Sequence, residues 1–200
     1  MLPSHVLAGI ALVAPLAWWT PDLAFSLFVG AVVGSVLPDL DMYAGHRRTL
    51  HFPVYYPIAA VGAVVVALAA TTPVTVGVAA TLATAAVHCR MDEFGGSLEL
   101  RPWEHSSDRA VFDHYRGEWR APRRGVRYDG SPRDLLLSIA LGFPLLFVLD
   151  GWVSWVVGAS LIVGTVYSLF RKRLADVAEL LVERVPDAVL EYVPGRYRQS

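Results

Sequence analysis

Six long apolar runs divide the chain: Leu2 to Trp19, Leu23 to Leu37, Phe52 to Thr71, Pro73 to Cys89, Leu135 to Leu149 and Trp152 to Phe170, none containing Lys, Arg, Asp or Glu. As helices rising 1.5 Å per residue they reach roughly 22 to 30 Å, so the longer ones match a bilayer core of about 30 Å and the shorter ones are marginal. The second and fifth are short enough to be buried or re-entrant. Apolar and polar residues do not alternate with period two, which argues against a membrane barrel. Thr20-Pro21, Thr72-Pro73 and Ser131-Pro132 mark helix starts, each pairing a capping hydroxyl with a proline whose missing N–H costs nothing in a first turn. The predicted fold class is all-α, a polytopic membrane protein with about six transmembrane helices and a polar loop layer.

Six crossings divide the connections between two sides. One side receives the N-terminus, Pro38 to His51, Arg90 to Asp134 and the tail from Arg171; the other receives only three tight turns. All 17 Lys and Arg fall on the first side, with every histidine and all acids except Asp22 and Asp150. By the positive-inside rule this side is cytoplasmic, which predicts a multi-pass protein of the cell's inner (cytoplasmic) membrane with both termini in the cytoplasm. No cationic region opens the chain, so the N-terminus is expected to remain in the mature protein. The expected organisation is a helical membrane domain over 1–170, with a cytoplasmic loop at 90–134, and an amphipathic cytoplasmic tail over 171–200. In that tail Leu174, Val177, Leu181 and Val185 repeat at helical spacing, as in a helix lying on the membrane or capping the cytoplasmic layer.

Composition agrees: 54% hydrophobic residues, 18% charged residues and a mean hydropathy of +0.45 depart from an ordinary soluble domain. A net charge of −1 gives no reason to expect a nucleic-acid partner, and Cys89, the single cysteine, excludes an internal disulfide.

Chemistry concentrates at the helix ends on the polar side. His5 lies at the start of the first run, Asp39 and Asp41 follow the second, His46 and His51 bracket Arg47-Arg48-Thr49-Leu50, and His88 and Asp92 are one helical turn apart at the end of the fourth. Each has a bland reading: an interfacial histidine, turn chemistry after Pro38, a helix-end hydrogen bond. Together they place seven imidazole and carboxylate donors at one membrane boundary, the ligand set of a zinc or manganese site, with zinc the first expectation. Ionisable groups near membrane depth are expensive, which points to function. Asp41 is open to three roles: ligand, orienting acceptor or general base. Arg47 is either a phosphate-binding fork or a membrane anchor. His105, Asp108, Asp113 and His114 match no ligand pattern and read as a solvated loop or a lid. Cys89 reads as a packed thiol, and Trp103, Trp119, Trp152 and Trp155 as interfacial anchors.

The order of these motifs resembles the membrane-bound, metal-dependent hydrolases described as LexA-binding and inner-membrane-associated, the YdjM-like family. The resemblance covers about Met1 to Trp103. It rests on His5, Leu37-Pro38-Asp39-Leu40-Asp41, His46-Arg47 followed by His51, and His88-x-x-x-Asp92 leading into Gly95-Gly96-Ser97-Leu98 and Arg101-Pro102-Trp103. The chain departs from the family pattern where Thr49 is displaced by Leu50 before His51, where Phe52 follows His51, and at Met42, where some members carry another histidine. The family implies a helical core similar to zinc-dependent phospholipase C and hydrolase chemistry.

The expected function is metal-assisted hydrolysis of an ester or phosphoester, lipid-like or delivered by the membrane, with His5, Asp39, His46, His51, His88 and Asp92 as ligands. The alternative is a non-enzymatic membrane protein with a structural metal that docks a cytoplasmic partner. A cation transporter ranks last, because the apolar runs carry no ionisable group away from their ends.

Overall fold

The computed structural model describes residues 1–190, 192–194 and 197. Each apolar run forms a helix: α1 (Leu2–Trp19), α2 (Ala24–Val36), α3 (Tyr55–Ala69), α4 (Pro73–Phe94), α5 (Pro132–Val148) and α6 (Gly151–Val182), followed by the short α7 (Asp187–Leu190). By length and composition, four helical segments can cross a membrane: α1, Pro21–Tyr43 containing α2, α4 and α6. The apolar α3 is shorter, at 15 residues.

Two of the three expected caps form. Thr72 and Thr75 make a reciprocal capping box at the start of α4, and Ser131 Oγ accepts from Asp134 N at 3.2 Å at the start of α5. Thr20 does not cap α2. Its hydroxyl donates back to Leu16 O at 2.8 Å, and a short 3-10 turn, Pro21–Leu23, intervenes. After α2 the chain tightens into a second 3-10 helix, Leu37–Tyr43, because Pro38 has no N–H with which to continue the α-helical ladder. That tightened turn carries Asp39 and Asp41.

Glycine lets α2 and α4 approach closely. A Cβ on Gly30 would lie 2.4 Å from Gly77 O, and one on Gly34 would lie 2.0 Å from Thr81 O. Such small-residue contacts let helix backbones meet in an apolar setting. α1 packs against this pair through Leu7, Ile10 and Val13, and α5 and α6 close the bundle, with Val157 fully buried. Large apolar side chains also point outward, including Trp19 (83% exposed), Trp155 (81%) and Leu68 (79%), as expected of a surface solvated by lipid rather than water.

The segment after α4 is partly structured. An antiparallel hairpin pairs β1 (Val111–Asp113) with β2 (Glu118–Arg120), and Trp119 packs edge-on against Phe112. Buried Glu93 of α4 holds this segment through Arg120 and Arg123, at 3.0 Å each, and also pairs with Arg90 of its own helix at 2.6 Å. Of the apolar stripe expected in the tail, Leu174, Val177 and Leu181 lie on α6, which runs unbroken from Gly151 through Val182, and Val185 follows its end. Leu174, Val177 and Leu181 stay exposed on it, while Arg101 pairs with Asp176 and Glu179 at 2.8 and 2.5 Å.

Candidate metal centre

The start of α1, the 3-10 turn after α2, the 44–54 connection and the end of α4 meet at one end of the bundle. All seven donors expected from the sequence converge there. Asp39, His51, His88 and Asp92 bring one ligand atom each within 4.8 Å of one another. Asp41, His46 and His51 form a second group by the same measure.

Hydrogen bonds fix the tautomers of the two central histidines. His88 Nδ1 lies 2.6 Å from Ser35 O, a group that can only accept, so Nδ1 carries the proton. His51 Nδ1 lies 2.9 Å from Asp41 Oδ2 and donates to that carboxylate. In the neutral rings both Nε2 lone pairs then face carboxylates. His88 Nε2 is buried without a hydrogen bond, 3.4 Å from Asp39 Oδ1 and 3.5 Å from Asp92 Oδ2. His51 Nε2 is 3.7 Å from Asp39 Oδ1 and 3.1 Å from Asp92 Oδ2. Lone pairs directed at anions repel unless a proton or a cation lies between them. Ligand atoms about 2.0 Å from a tetrahedral zinc are about 3.3 Å apart, and these four separations bracket that edge length. The donor set therefore fits a divalent ion.

Asp41 is occupied differently. Besides His51, it accepts from His46 Nδ1 at 3.0 Å and from the backbone N–H groups of Arg47, Arg48 and Leu50 at 3.3, 3.3 and 3.1 Å. It is 1% exposed and organises the whole 46–51 connection. Burial opposes charging of His51, but the Asp41 and Asp92 carboxylates outweigh it and hold the imidazolium above its ordinary pKa. Thr49 donates its hydroxyl to Ala44 O and serves the turn rather than His51.

His5 stacks on His88 at 4.1 Å between ring centroids, with Nε2 3.4 Å from Asp92 Oδ1 and a buried Nδ1 that has no hydrogen bond. Arg47 adopts a left-handed backbone (φ 61°) and is 7% exposed. Its Nη1 donates to Gly96 O at 2.7 Å and its Nη2 lies 3.2 Å from Asp92 Oδ1. A cavity of about 250 Å³ opens beside these groups, lined by Asp39, His5, Arg47 and Asp92 and by the apolar Leu2, Pro3, Met42 and Val163 among others.

The looser cluster is not brought here. Asp113 holds the hairpin turn, His114 Nε2 meets Arg48 O at 2.6 Å, Asp108 pairs with Arg124, and His105 lines a separate cleft. Cys89 is fully buried beside Tyr56 and Ala85 as a packed thiol. Sequence reasoning missed the Ser35 and Gly96 carbonyls, which as backbone groups leave no side-chain signal. It also missed Asp129 and Tyr167, which meet at 2.7 Å on the cavity wall and come from distant segments without a shared spacing. Comparison of the chain with family models, curated proteins and solved structures finds no match.

Proposed function

We propose that the protein is a membrane-bound metal-dependent hydrolase acting on an ester or phosphoester of a lipid-like substrate at the cytoplasmic face of the cell's inner membrane. The observation that carries this reading is the pair of imidazole Nε2 atoms directed at the same two carboxylates beside a cavity with polar and apolar lining. Asp39, His51, His88 and Asp92 would hold the ion, zinc by donor chemistry, with manganese the second choice. When bound, a divalent ion supplies Lewis acidity and a water ionisable near neutral pH.

The residues around it have separable tasks. Asp41 orients His51 and His46, because its oxygens are already filled by N–H donors. His5 stacks on His88 and keeps a buried Nδ1 without a hydrogen bond, a free position for a polar group of the substrate. Arg47 retains N–H donors beyond those used on Gly96 and Asp92, and its planar fork suits a phosphate oxygen. The apolar wall at Leu2, Pro3 and Val163 suits the hydrocarbon portion of an amphiphile. The proposal includes six crossings, both termini in the cytoplasm, and the YdjM-like relationship with its phospholipase-C-like core.

The test is hydrolysis by purified protein in lipid nanodiscs, apo and reloaded with zinc or manganese, with water-soluble phosphoesters followed by phosphorus NMR. Metal-dependent release that is lost in His88→Ala supports the proposal. A metal-replete but inert protein refutes it and leaves the second reading, a structural ion supporting a surface that docks a cytoplasmic protein. Four donors can close a tetrahedron, which is the feature favouring that reading.

A further inference from the structure

A second cleft, of about 460 Å³, shares no lining residue with the cavity at the metal centre and is lined by Trp103, His105, Arg124, Arg127, Tyr128 and Arg133, with no acid among them. Four non-glycine residues have positive φ among the described residues. One is Arg47, at the metal centre; the other three, His105 (56°), Arg124 (53°) and Arg127 (69°), all line this cleft. Left-handed backbone at a residue with a side chain costs about 1 to 2 kcal/mol and concentrates where function holds the chain in place. Arg124 Nε is buried without a hydrogen bond, while its Nη2 reaches Ser107 O at 3.1 Å and the exposed Asp108 carboxylate at 3.2 Å. Arg133 donates weakly to Gly125 O, at 3.3 Å.

The cleft sits at a definable depth. Arg133 is the second residue of α5, just before the apolar stretch from Leu135. Trp103 lies beneath Arg171 and Lys172, at 5.1 and 5.6 Å from its ring centroid, and those cations directly follow the apolar stretch of α6 that ends at Phe170. Amphipathic aromatic rings and cations of this kind mark the level of lipid headgroups, where basic pockets between helices take anionic headgroups. Guanidinium forks match phosphate oxygens in charge and geometry.

We infer that this cleft binds the phosphate of an anionic membrane lipid, as a site separate from the metal centre. The inference rests on α5 and α6 lying in a membrane, not on hydrolysis. Bound metal and bound lipid are therefore separable readouts.

The experiment is native mass spectrometry of the full chain released from nanodiscs of mixed phosphatidylglycerol and phosphatidylcholine. Wild type is expected to retain phosphatidylglycerol, and Arg127→Gln/Arg133→Gln to retain it on the order of thirtyfold more weakly, with metal content unchanged. Arg116→Gln, at the exposed hairpin turn, is expected to match wild type. Arg127→Gly relieves the left-handed backbone, so it should melt no lower than wild type yet hold less lipid, which keeps the test decisive if the double variant misfolds. Displacement by inorganic phosphate would assign recognition to the phosphate group itself, and resistance to it would assign recognition to the whole headgroup. Undiminished retention in the cleft variants, or an equal loss in Arg116→Gln, overturns the inference.

Discussion

Replacing Asp41 by Asn separates orienting a ligand from being one. The carboxylate accepts from two imidazoles and three backbone N–H groups. Asn keeps the shape but offers one oxygen, and it turns an N–H toward groups that are themselves donors. Hydrogen bonds to a charged acceptor contribute about 1.5 to 3 kcal/mol each, and water can re-solvate the exposed part of the connection, so the fold should lose about 3 kcal/mol. With His51 free to rotate, metal affinity should fall 10- to 100-fold, the usual consequence of losing a partner behind a ligating histidine. Competition against a fluorescent chelator measures the affinity, and thermal melting with and without metal measures the fold. Asp92→Asn, which removes a group facing both His51 and His88, should lose far more affinity. Wild-type affinity in Asp41→Asn, or a loss as complete as that of Asp92→Asn, would refute the reasoning.

Other perturbations address the scaffold. Gly34→Ala places a methyl 2.0 Å from Thr81 O and must push α2 from α4, costing about 3 kcal/mol or more by melting and weakening metal retention through the Ser35–His88 contact; a neutral variant would contradict the close packing. Chelation should lower the melting temperature, since an ion at 100 times its Kd stabilises by about 2.7 kcal/mol; an unchanged melt would count against the site. In the hairpin, burial raises the Asp113 pKa, but Arg120 and the N–H groups of Tyr115 and Arg116 outweigh it and hold the carboxyl below its ordinary value. Its stabilisation is therefore complete above about pH 4 and fades as pH falls toward the lower folded pKa. Hydrogen exchange in the hairpin should show that acid loss in wild type but not in Asp113→Asn; identical profiles would contradict it.

What was legible in the sequence follows from the range of the interactions involved. The apolar runs gave all six long helices, because uncharged stretches of that length have few alternatives. Convergence of the donors was legible because they cluster at the ends of apolar helices, and the helix bundle brings those ends together. The division of labour was not. That Asp41 orients while Asp39 faces the imidazoles depends on the 3-10 turn at Pro38, which a two-residue separation in sequence cannot reveal. Thr20 resembled Thr72, but the choice between capping forward and bonding back to Leu16 is set by local backbone angles. The basic cleft joins residues 103–105, 124–128 and 133 through a loop path without periodic signature.

The central claim is that Asp39, His51, His88 and Asp92 hold a divalent ion. The most direct measurement is elemental analysis of the protein extracted in mild detergent, for wild type, His88→Ala, Asp92→Asn and Asp113→Asn. About one zinc or manganese per chain is expected in wild type and Asp113→Asn, and almost none in the other two. Equal metal content across all four proteins, or a wild type that takes up no divalent ion when it is supplied, would contradict it.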